Sequence, residues 1–293
     1  MKVVVTGGCG FIGSSFVHLC RNLGHEVSVI DKLTYAGNIE NIPIELPVLV
    51  EDICNLTSYD LGAYDYLVNF AAESHVDNSI KDGKPFLKSN IEGTFNLLEL
   101  ARKNKKLKKF IQISTDEVYG DLDKLGIISS SESNVLYPSS YYSATKAAAD
   151  MLVYSCGHTF GLPYIITRTC NNFGDRQHDE KFIPTIIRSI QNNEPIPIYG
   201  DGKQIREWIW VEDNAKQILK LMLGSDVGTF NIGSENSLRN IDIINHIGDL
   251  IGKKPKYKFV EDRLGHDRRY TLDTNLIPPR ITKTLFEYLE ETI

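Results

Sequence analysis

Three side chains that can hydrogen-bond or exchange protons follow a short apolar run near the middle of the chain: Thr115, Asp116 and Glu117. The run before them, residues 109–113, is typical of a buried strand. Two adjacent carboxylates repel each other when both are ionised. If their surroundings differ, one group can stay protonated while the other ionises. Such a pair provides a general acid and a general base side by side. The alternative is that Asp116 caps the next turn and Glu117 is solvated.

A tyrosine and a lysine form a second reactive pair at the start of a predicted helix over residues 141–160. Tyr142 and Lys146 are four residues apart, so they point to the same side of that helix, whereas Tyr141 faces elsewhere. An ammonium group near a phenol favours the phenolate and lowers the pKa of the tyrosine. A phenolate beside a nicotinamide can remove the proton of an alcohol while hydride leaves the carbon. Because this spacing also arises by chance, its meaning depends on the surrounding elements.

The N-terminal residues predict the cofactor site that this chemistry requires. Val3–Val5 is a β-branched run typical of a buried parallel strand. The glycines that follow, Gly7, Gly10 and Gly13, permit a tight turn, a close backbone approach and close packing of the next element. That element is a predicted helix over residues 11–23, whose N-terminus can hold a pyrophosphate.

Acidic and small residues at three further strand ends extend this site. Asp31 lies near the spacing of about 20 residues expected for the acid that binds the adenosine ribose. Its carboxylate repels a 2′-phosphate and so favours NAD over NADP, although Lys32 weakens that preference. Asp52 and Ile53 could bracket the adenine. The alanine pair at 71–72 lets a dinucleotide pass close to the backbone.

Strands and helices alternate along the first part of the chain, which predicts a parallel sheet with helices on both faces. Predicted strands are residues 26–30, 48–50, 66–70, 109–113 and 164–169, and the other long helices are residues 84–103 and 141–160. After Arg168, prolines and short elements replace this alternation. Predicted there are helices over 182–191, 212–223, 241–251 and 281–289, and strands over 195–199, 208–211, 229–232 and 257–260.

These patterns predict an α/β fold: a doubly wound, mostly parallel Rossmann sheet with a smaller mixed α/β C-terminal lobe. The NAD-binding unit is expected to comprise residues 1–168, with 207–232 returning to it. The lobe, which we expect to bind the substrate over the carboxyl edge of the sheet, comprises residues 169–206 and 233–293.

Composition and charge argue against several classes of partner. The 32 basic and 38 acidic residues give a net charge of −6, so no basic field attracts nucleic acid or a membrane surface. No apolar run approaches the roughly 20 residues of a membrane span, and the first residues lack the apolar core of a signal peptide. The five cysteines show no metal-binding spacing and fit reduced thiols of a cytoplasmic protein. His75 has no second ligand nearby, so we expect a packed or hydrogen-bonded histidine and no metal site.

Arg206 is the best candidate for binding a diphosphate, because a guanidinium group matches the geometry of phosphate oxygens. The alternative is a structural salt bridge with Glu207 or Asp213.

Motifs along nearly the whole chain, from residue 6 to about residue 272, carry a resemblance to a known family. They are TGGCGFIG, DKLTYAGN, AAESHVDNSI, STDEVYG, YSATK, NNFG, IYGDGKQIREW and RLGHDRRY. The chain resembles the extended short-chain dehydrogenases/reductases that act on nucleotide sugars, and within them it is similar to the dTDP-glucose 4,6-dehydratase family. The adjacent Asp116 and Glu117 are the specific mark, since related 4-epimerases lack that acidic pair. The chain departs from the family pattern at residues 274–279, where the stretch before the last helix is shortened.

The resemblance implies transient oxidation of dTDP-glucose at carbon 4 by bound NAD, loss of water across carbons 5 and 6, and hydride return to carbon 6. It implies five catalytic residues: Thr115, Asp116, Glu117, Tyr142 and Lys146. The implied cofactor-binding residues are Gly7, Gly10, Phe11, Ile12, Gly13, Asp31, Lys32, Leu33, Thr34, Asp52, Ile53, Ala71, Ala72, Ser74, Ser89, Tyr142, Lys146 and Asn172. The implied substrate-binding residues are Ser74, Thr115, Asn171, Lys181, Phe182, Pro197, Tyr199, Arg206, Asn236, Arg263 and His266.

The resemblance also implies a homodimer, paired through the helices that begin at Lys84 and Tyr141. The alternative is that the apolar faces of these helices cover only their own sheet. Other activities stay open at this point: a dehydratase for UDP-glucose, or a related nucleotide-sugar 4-epimerase or decarboxylase. A protein that senses NAD without catalysis is disfavoured, because such a protein has no need of the two acids.

Overall fold

Twelve strands form one large sheet and two small ones. In a computed structural model, which describes residues 1–293, the strands are β1 (Lys2–Thr6), β2 (Glu26–Asp31), β3 (Val48–Val50), β4 (Tyr66–Asn69), β5 (Lys109–Thr115), β6 (Tyr164–Thr169), β7 (Asn171–Phe173), β8 (Pro195–Tyr199), β9 (Ile205–Trp210), β10 (Gly228–Ile232), β11 (Ser237–Arg239) and β12 (Lys256–Val260). Seven of them form a parallel sheet in the order β10-β6-β5-β4-β1-β2-β3. The central strands are buried along most of their length, as expected for a parallel sheet covered on both faces.

Helices cover both faces of this sheet. They are α1 (Phe11–Asn22), α2 (Ser58–Leu61), α3 (Val76–Lys81), α4 (Lys84–Phe86), α5 (Thr94–Ala101), α6 (Leu122–Leu125), α7 (Tyr141–Phe160), α8 (Phe182–Gln191), α9 (Val211–Leu223), α10 (Asn240–Ile251) and α11 (Leu285–Thr292). Val3 and Val5 of β1 pack in the core beneath α1 and α9, whereas Val4 between them packs in the opposite core beneath α5 and α7. None of the helices combines the length and the apolar character needed to cross a membrane.

A third core holds the remaining elements together as the smaller lobe. It is formed by apolar residues of α8, α10 and α11 with the two small sheets, whose strand orders are β11-β9-β7 and β12-β8. The predicted fold class, a doubly wound Rossmann sheet with a smaller mixed lobe, is confirmed. The division of the chain into two units stays a prediction: β9 pairs in a small sheet, whereas α9 packs on α1 and β10 pairs with β6 of the large sheet.

The predicted continuous helix over residues 84–103 is interrupted. A π-helical segment, Leu87–Gly93, joins α4 to α5, and α5 ends at Ala101. The wider turn coincides with the buried Asn90, whose side chain bonds both backbone groups of Glu73 and the hydroxyl of Thr145. A π-helical turn inside a helix is often found at a functional site, and Glu73 borders the cleft described below.

The predicted start of the last helix at residue 281 is wrong. Thr282 donates from its backbone nitrogen and its hydroxyl to Asp213, which holds this segment outside the helix. The helix begins at Leu285, because Thr284 and Glu287 form a reciprocal capping box.

Candidate active site

The main cleft, with a volume of about 340 Å³, opens at the carboxyl edge of the large sheet next to β1 and β4. The strand order reverses there, which is where parallel α/β sheets bind ligands. Gly7 adopts a φ of +69°, and a Cβ on it would lie 2.5 Å from the backbone nitrogen of Ala71. A Cβ on Gly13 would lie 2.3 Å from the carbonyl oxygen of Gly7. Both glycines are therefore required for the backbone at the base of the cleft.

The first turn of α1 is prepared for an anion. No side chain caps it and no acidic residue lies in it, so the N–H groups at its start keep their hydrogen-bonding capacity. Asp31 lies beside this turn, where its carboxylate accepts hydrogen bonds from the backbone of Cys9 at 2.9 Å and of Leu33 at 2.8 Å. Each carboxylate oxygen retains a further lone pair, so a sugar hydroxyl can still donate to it. These features fit a dinucleotide.

A pair of charged residues closes the far end of the same cleft. Lys32 Nζ lies 2.9 Å from Asp52 Oδ2, and Ile53 lines the cleft beside them. Burial opposes ionisation of Asp52, but hydrogen bonds from Cys54 and Lys32 outweigh it and lower the pKa to about 2. Asp52 is therefore a permanent anion, and Lys32 is occupied by it.

The two adjacent carboxyls lie at the carboxyl end of β5 and face the cleft. Thr115, not Asp116, caps the turn that follows, since its hydroxyl accepts a hydrogen bond from the backbone nitrogen of Glu117 at 3.3 Å. Asp116 is only 3% exposed, and its Oδ2 has no hydrogen-bond partner in the protein. The alternative in which Asp116 caps the turn and Glu117 is solvated is therefore wrong.

The surroundings of the two carboxyls differ in their electrostatics. Burial, reinforced by the negative charge of Glu117, raises the pKa of Asp116 well above its ordinary value. Burial also raises the pKa of Glu117, but Arg206, Arg263 and Lys181 act in the opposite direction. Asp116 is therefore the group that keeps its proton while Glu117 ionises, which is the arrangement that an acid–base pair requires.

Tyr142 and Lys146 lie on the inner side of α7, which begins at Tyr141 behind a capping box formed by Ser140 and Ser143. The ammonium of Lys146 donates a hydrogen bond to the carbonyl oxygen of Ile113 at 2.5 Å. Burial lowers the pKa of Lys146 to about 8, and a nearby carboxylate, Asp150, opposes that shift.

The expected lowering of the pKa of Tyr142 by Lys146 does not occur in this structure. Burial and the charge of Glu117 raise that pKa, and the hydroxyl of Thr115 opposes them. The reason is geometric: the ammonium is directed along β5 to a backbone carbonyl and does not hydrogen-bond to the phenol.

Sequence comparison agrees with this geometry. The sequence model of the NAD dependent epimerase/dehydratase family matches residues 3–233. A low-salt glycan biosynthesis protein of Haloferax volcanii is 45% identical over 283 residues, 93% of this chain and 90% of that protein. A dTDP-glucose 4,6-dehydratase of Escherichia coli is 41% identical over 94% of this chain and 86% of its own length. The chain belongs to the NAD dependent epimerase/dehydratase family.

Solved structures of such enzymes have the same fold. DesIV, a dTDP-glucose 4,6-dehydratase of Streptomyces venezuelae solved with NAD bound, superposes with a TM-score of 0.94 at 37% identity, over 100% of this chain and 95% of its own. A UDP-glucose 4-epimerase of Thermus thermophilus superposes with a TM-score of 0.91 at 25% identity, over 99% and 97% of the two chains. Both activities therefore occur on this fold, and side chains at the site must distinguish them.

In this member of the family, the predicted catalytic residues lie together in one cleft. Thr115, Asp116, Glu117, Tyr142 and Lys146 all line it. So do the predicted cofactor residues Gly7, Gly10, Phe11, Ile12, Gly13, Asp31, Lys32, Thr34, Asp52, Ile53, Ala71, Ala72, Ser74, Ser89 and Asn172. Leu33 does not: its side chain packs against the core beneath α1. The roles of these residues stay predictions.

The predicted substrate residues fall into two groups. Ser74, Thr115, Asn171 and Lys181 line the cleft, whereas Phe182, Pro197, Tyr199, Arg206, Asn236, Arg263 and His266 lie outside its lining. In the second group, Arg263 lies 3.4 Å from Asp77 of α3, and His266 lies 2.6 Å from Asp262. The ion pair of Arg263 connects the loop over residues 261–267 to α3.

Arg206 does not form the salt bridge that was the alternative expected from the sequence, and its role in binding a diphosphate stays a prediction. Its guanidinium donates to the backbone carbonyls of Ile205, Asp267 and Arg268 and stacks over the ring of Tyr270 at 4.3 Å. No salt bridge with Glu207 or Asp213 forms: Glu207 accepts three backbone N–H groups, and Asp213 binds Thr282 and Lys216. Arg206 nevertheless lies close enough to Glu117 to oppose the rise that burial causes in the pKa of that carboxyl.

His75 is partly buried, with Nε2 at 3.8 Å from Glu180 Oε2. Burial lowers its pKa despite that carboxylate. No cluster of three or more His, Cys, Asp or Glu side chains could hold a metal ion.

Several cleft residues escaped the sequence reasoning: Ala36, Gly37, Glu51, Phe70, Glu73, Ile113, Ser114, Thr169, Cys170, Gln177 and His178. Ser114, Thr169 and Cys170 follow the rule that identified Thr115, because they also lie at carboxyl ends of parallel strands. Gln177 and His178 belong to a loop without periodicity. Arg176 fastens this loop to α1, since its guanidinium lies 3.3 Å from Ser14 Oγ and 3.0 Å from Ser15 Oγ.

Proposed function

We propose that this chain dehydrates dTDP-glucose to dTDP-4-keto-6-deoxyglucose with bound NAD. The observation that carries the proposal is the adjacent pair Asp116 and Glu117, which face one cleft in different electrostatic surroundings. A pure oxidation or epimerisation at carbon 4 has no use for a protonated acid beside an ionised one. Relatives and a solved structure that carry the dehydratase name support the same reaction.

The first step is oxidation of the sugar at carbon 4. Bound NAD supplies the hydride acceptor for carbon 4 and later the hydride donor for carbon 6. Tyr142 Oη removes the proton of the 4-hydroxyl, and the hydroxyl of Thr115 hydrogen-bonds to the same sugar oxygen. The ammonium of Lys146 is bound to the carbonyl oxygen of Ile113 in this structure and does not touch the phenol; in the complex with cofactor and sugar, its positive charge on the same side of α7 would assist the loss of the proton from Tyr142.

The second step is elimination of water across carbons 5 and 6. The 4-ketone acidifies the proton on carbon 5, and the carboxylate of Glu117 removes it. Asp116, as the carboxylic acid, donates its proton to the 6-hydroxyl, which leaves as water. Glu117 then returns a proton to carbon 5 when carbon 6 is reduced. Because the net redox change is zero, the cofactor can stay bound through many turnovers.

The same proposal includes the quaternary structure and the location of the protein. A homodimer is supported by exposed apolar side chains on the helical segment 84–101 and on α7, among them Leu87, Phe95, Met151 and Tyr154. A cytoplasmic location is supported by five cysteines that are all unpaired. We also keep the two-unit division, with residues 169–206 and 233–293 binding the nucleotide sugar.

Incubation with dTDP-glucose and with UDP-glucose, followed by mass spectrometry, tests the reaction. The dehydratase yields a product lighter by one water, and in D2O that product carries one deuterium from Glu117 at carbon 5. A 4-epimerase gives no change in mass. Faster loss of water from UDP-glucose would replace the proposed substrate by its uridine analogue, and an unchanged mass with both sugars would reject the dehydratase.

A further inference from the structure

We propose that Asp150, backed by Arg168, is a positioning residue that acts through Lys146: its buried carboxylate keeps the lysine charged and directed along β5. This inference rests on the proposed function, because Lys146 belongs to the proposed catalytic set. Asp150 itself does not reach the cleft.

Asp150 lies one helical turn after Lys146 on α7, so the two side chains share a side of the helix. Its side chain is fully buried, and Oδ1 makes no hydrogen bond of ordinary geometry, although the nearby hydroxyl of Ser114 acts to lower the pKa of the carboxyl group. A buried carboxylate with an oxygen that lacks a full hydrogen bond destabilises the fold unless a positive charge lies nearby. The ammonium of Lys146 is such a charge, although the two groups do not form a direct salt bridge.

Arg168 explains how the carboxylate can be ionised in the interior. Its Nε lies 3.0 Å from Asp150 Oδ2, and its Nη1 donates to the phenol oxygen of Tyr119 at 3.0 Å. Tyr119 in turn donates to Asn231 of β10 at 2.8 Å. Burial raises the pKa of Asp150, and Arg168 opposes that shift most strongly. A chain of buried polar contacts therefore fixes Asp150 from the side away from the cleft.

No other element packed around Lys146 acts on its ammonium with a second carboxylate as Asp150 does. On α7 itself, the neighbouring titratable groups are Tyr142 and Asp150. On β5 and its following turn, Asp116 keeps its proton and Glu117 acts on Tyr142. The π-helical segment presents Asn90, which is already bound to Thr145.

The sign of the pH effect follows from these groups. Burial lowers the pKa of Lys146 to about 8, and Asp150 is the one group that opposes this. The charged lysine is present below that pH and is lost as the pH rises through it. Without the carboxylate the loss begins at lower pH, so the alkaline limit of activity moves downward.

The test compares wild-type enzyme with Asp150→Asn, which keeps the size of the side chain and removes its charge. We expect the alkaline limb of the pH–kcat profile to move down by about one pH unit, which is about a fivefold loss at pH 8 and approaches tenfold at higher pH. The titration of Lys146, followed by NMR of isotopically labelled lysine in the holoenzyme, is expected to shift by the same amount. The matched control is Asp213→Asn, which changes a buried carboxylate of α9 that accepts hydrogen bonds from Thr282, and for which neither curve is expected to move.

A second variant separates the electrostatic role from a structural one, since Asp150→Asn leaves Arg168 unpaired. In Asp150→Asn/Arg168→Gln the interior is neutral again, and we expect folding stability to recover while the pH limb stays displaced. Recovery of the wild-type limb together with stability would overturn the inference, and so would an unmoved Lys146 titration in Asp150→Asn. Failure of the proposed function is a different result: wild-type enzyme would then leave dTDP-glucose unchanged, whereas the NMR titration would still report on Asp150.

Discussion

The raised pKa that suits Asp116 to act as an acid also lowers the stability of the folded chain at neutral pH. Burial and Glu117 raise its pKa in the folded chain, so the folded state holds a proton that the unfolded state releases from about pH 4 upward. Stability contributed by this group is therefore lost as the pH rises from that point towards the raised pKa. A carboxyl group kept under such conditions is expected where the reaction needs a protonated acid.

Replacing this acid is therefore expected to stabilise the protein and stop the reaction. Asp116→Asn has no proton to lose, and we expect a gain of about 1–2 kcal/mol in the free energy of unfolding at neutral pH. The gain over wild type is expected to shrink as the pH falls towards 4, where both states of Asp116 are protonated. Urea denaturation across this pH range measures it. A variant that is less stable than wild type at pH 7 and equally active would contradict the proposed role.

Glu117 is expected to matter only after the first hydride transfer. In Glu117→Gln the proton of carbon 5 cannot be removed, while Tyr142 can still assist oxidation at carbon 4. We expect the absorbance of reduced nicotinamide to appear on addition of dTDP-glucose and to persist, with product formation reduced at least about a hundredfold. Because the nicotinamide is reduced only in a folded protein with the sugar bound, the appearance of this absorbance is itself the control for folding and binding. Full turnover in this variant would remove Glu117 from the mechanism.

Local spacing in the sequence predicted some of these residues and failed for others. Tyr142 and Lys146 could be paired because α7 is regular from its capped start. The hydrogen bond of Lys146 to Ile113, which turns the ammonium away from the phenol, joins residues 33 positions apart. The partners of Arg206 could not be predicted for the same reason, since the carbonyl groups of Asp267 and Arg268 lie more than 60 residues away. A side chain's hydrogen-bond partners depend on tertiary contacts that periodicity does not encode.

At the scale of elements, the glycines before α1 have separate tasks that can be tested. A Cβ on Gly13 would meet the carbonyl oxygen of Gly7 at 2.3 Å, whereas one on Gly10 would lie 3.4 Å from the same atom. We expect Gly13→Ala to lower the free energy of unfolding of the NAD-free protein by about 1–3 kcal/mol. Gly10→Ala is the matched control and is expected to leave that stability within about 0.5 kcal/mol of wild type. Equal losses in both variants would show that helix packing does not distinguish these positions.

The ends of a helix or strand can be predicted from the sequence where neighbouring residues determine them, as in a capping box. The capping box Thr284–Glu287 was present in the sequence, but the apolar Ile281 led the predicted helix to start too early. The π-helical segment Leu87–Gly93 has no such local signal. It accompanies the fit of Asn90 between Glu73 and Thr145, which come from two other elements. The overall alternation of strands and helices could be predicted because it depends on hydrophobic runs that these local details do not disturb.

At the scale of the whole molecule, two helices leave apolar surface uncovered on the side opposite to the sheet. Phe95 of α5 is 53% exposed and Tyr154 of α7 is 53% exposed, and the two helices pack side by side. A patch of this kind on a globular protein typically marks an interface. Because the two helices lie side by side on one face of the parallel sheet, a second copy related by a two-fold axis would complete a four-helix arrangement.

We therefore expect wild-type protein to sediment as a dimer and Phe95→Glu/Tyr154→Glu to sediment as a monomer, because two charges per subunit would be buried without partners. Phe259→Glu is the matched control: that phenylalanine is 64% exposed on β12 of the small lobe, and its replacement is expected to leave the dimer intact. Sedimentation velocity at micromolar concentration measures both. A wild-type monomer, or dissociation by the control as well, would show that these helix faces cover only their own sheet. Retained dehydration by the monomeric variant would place the reaction within a single chain, as the cleft residues of one subunit suggest.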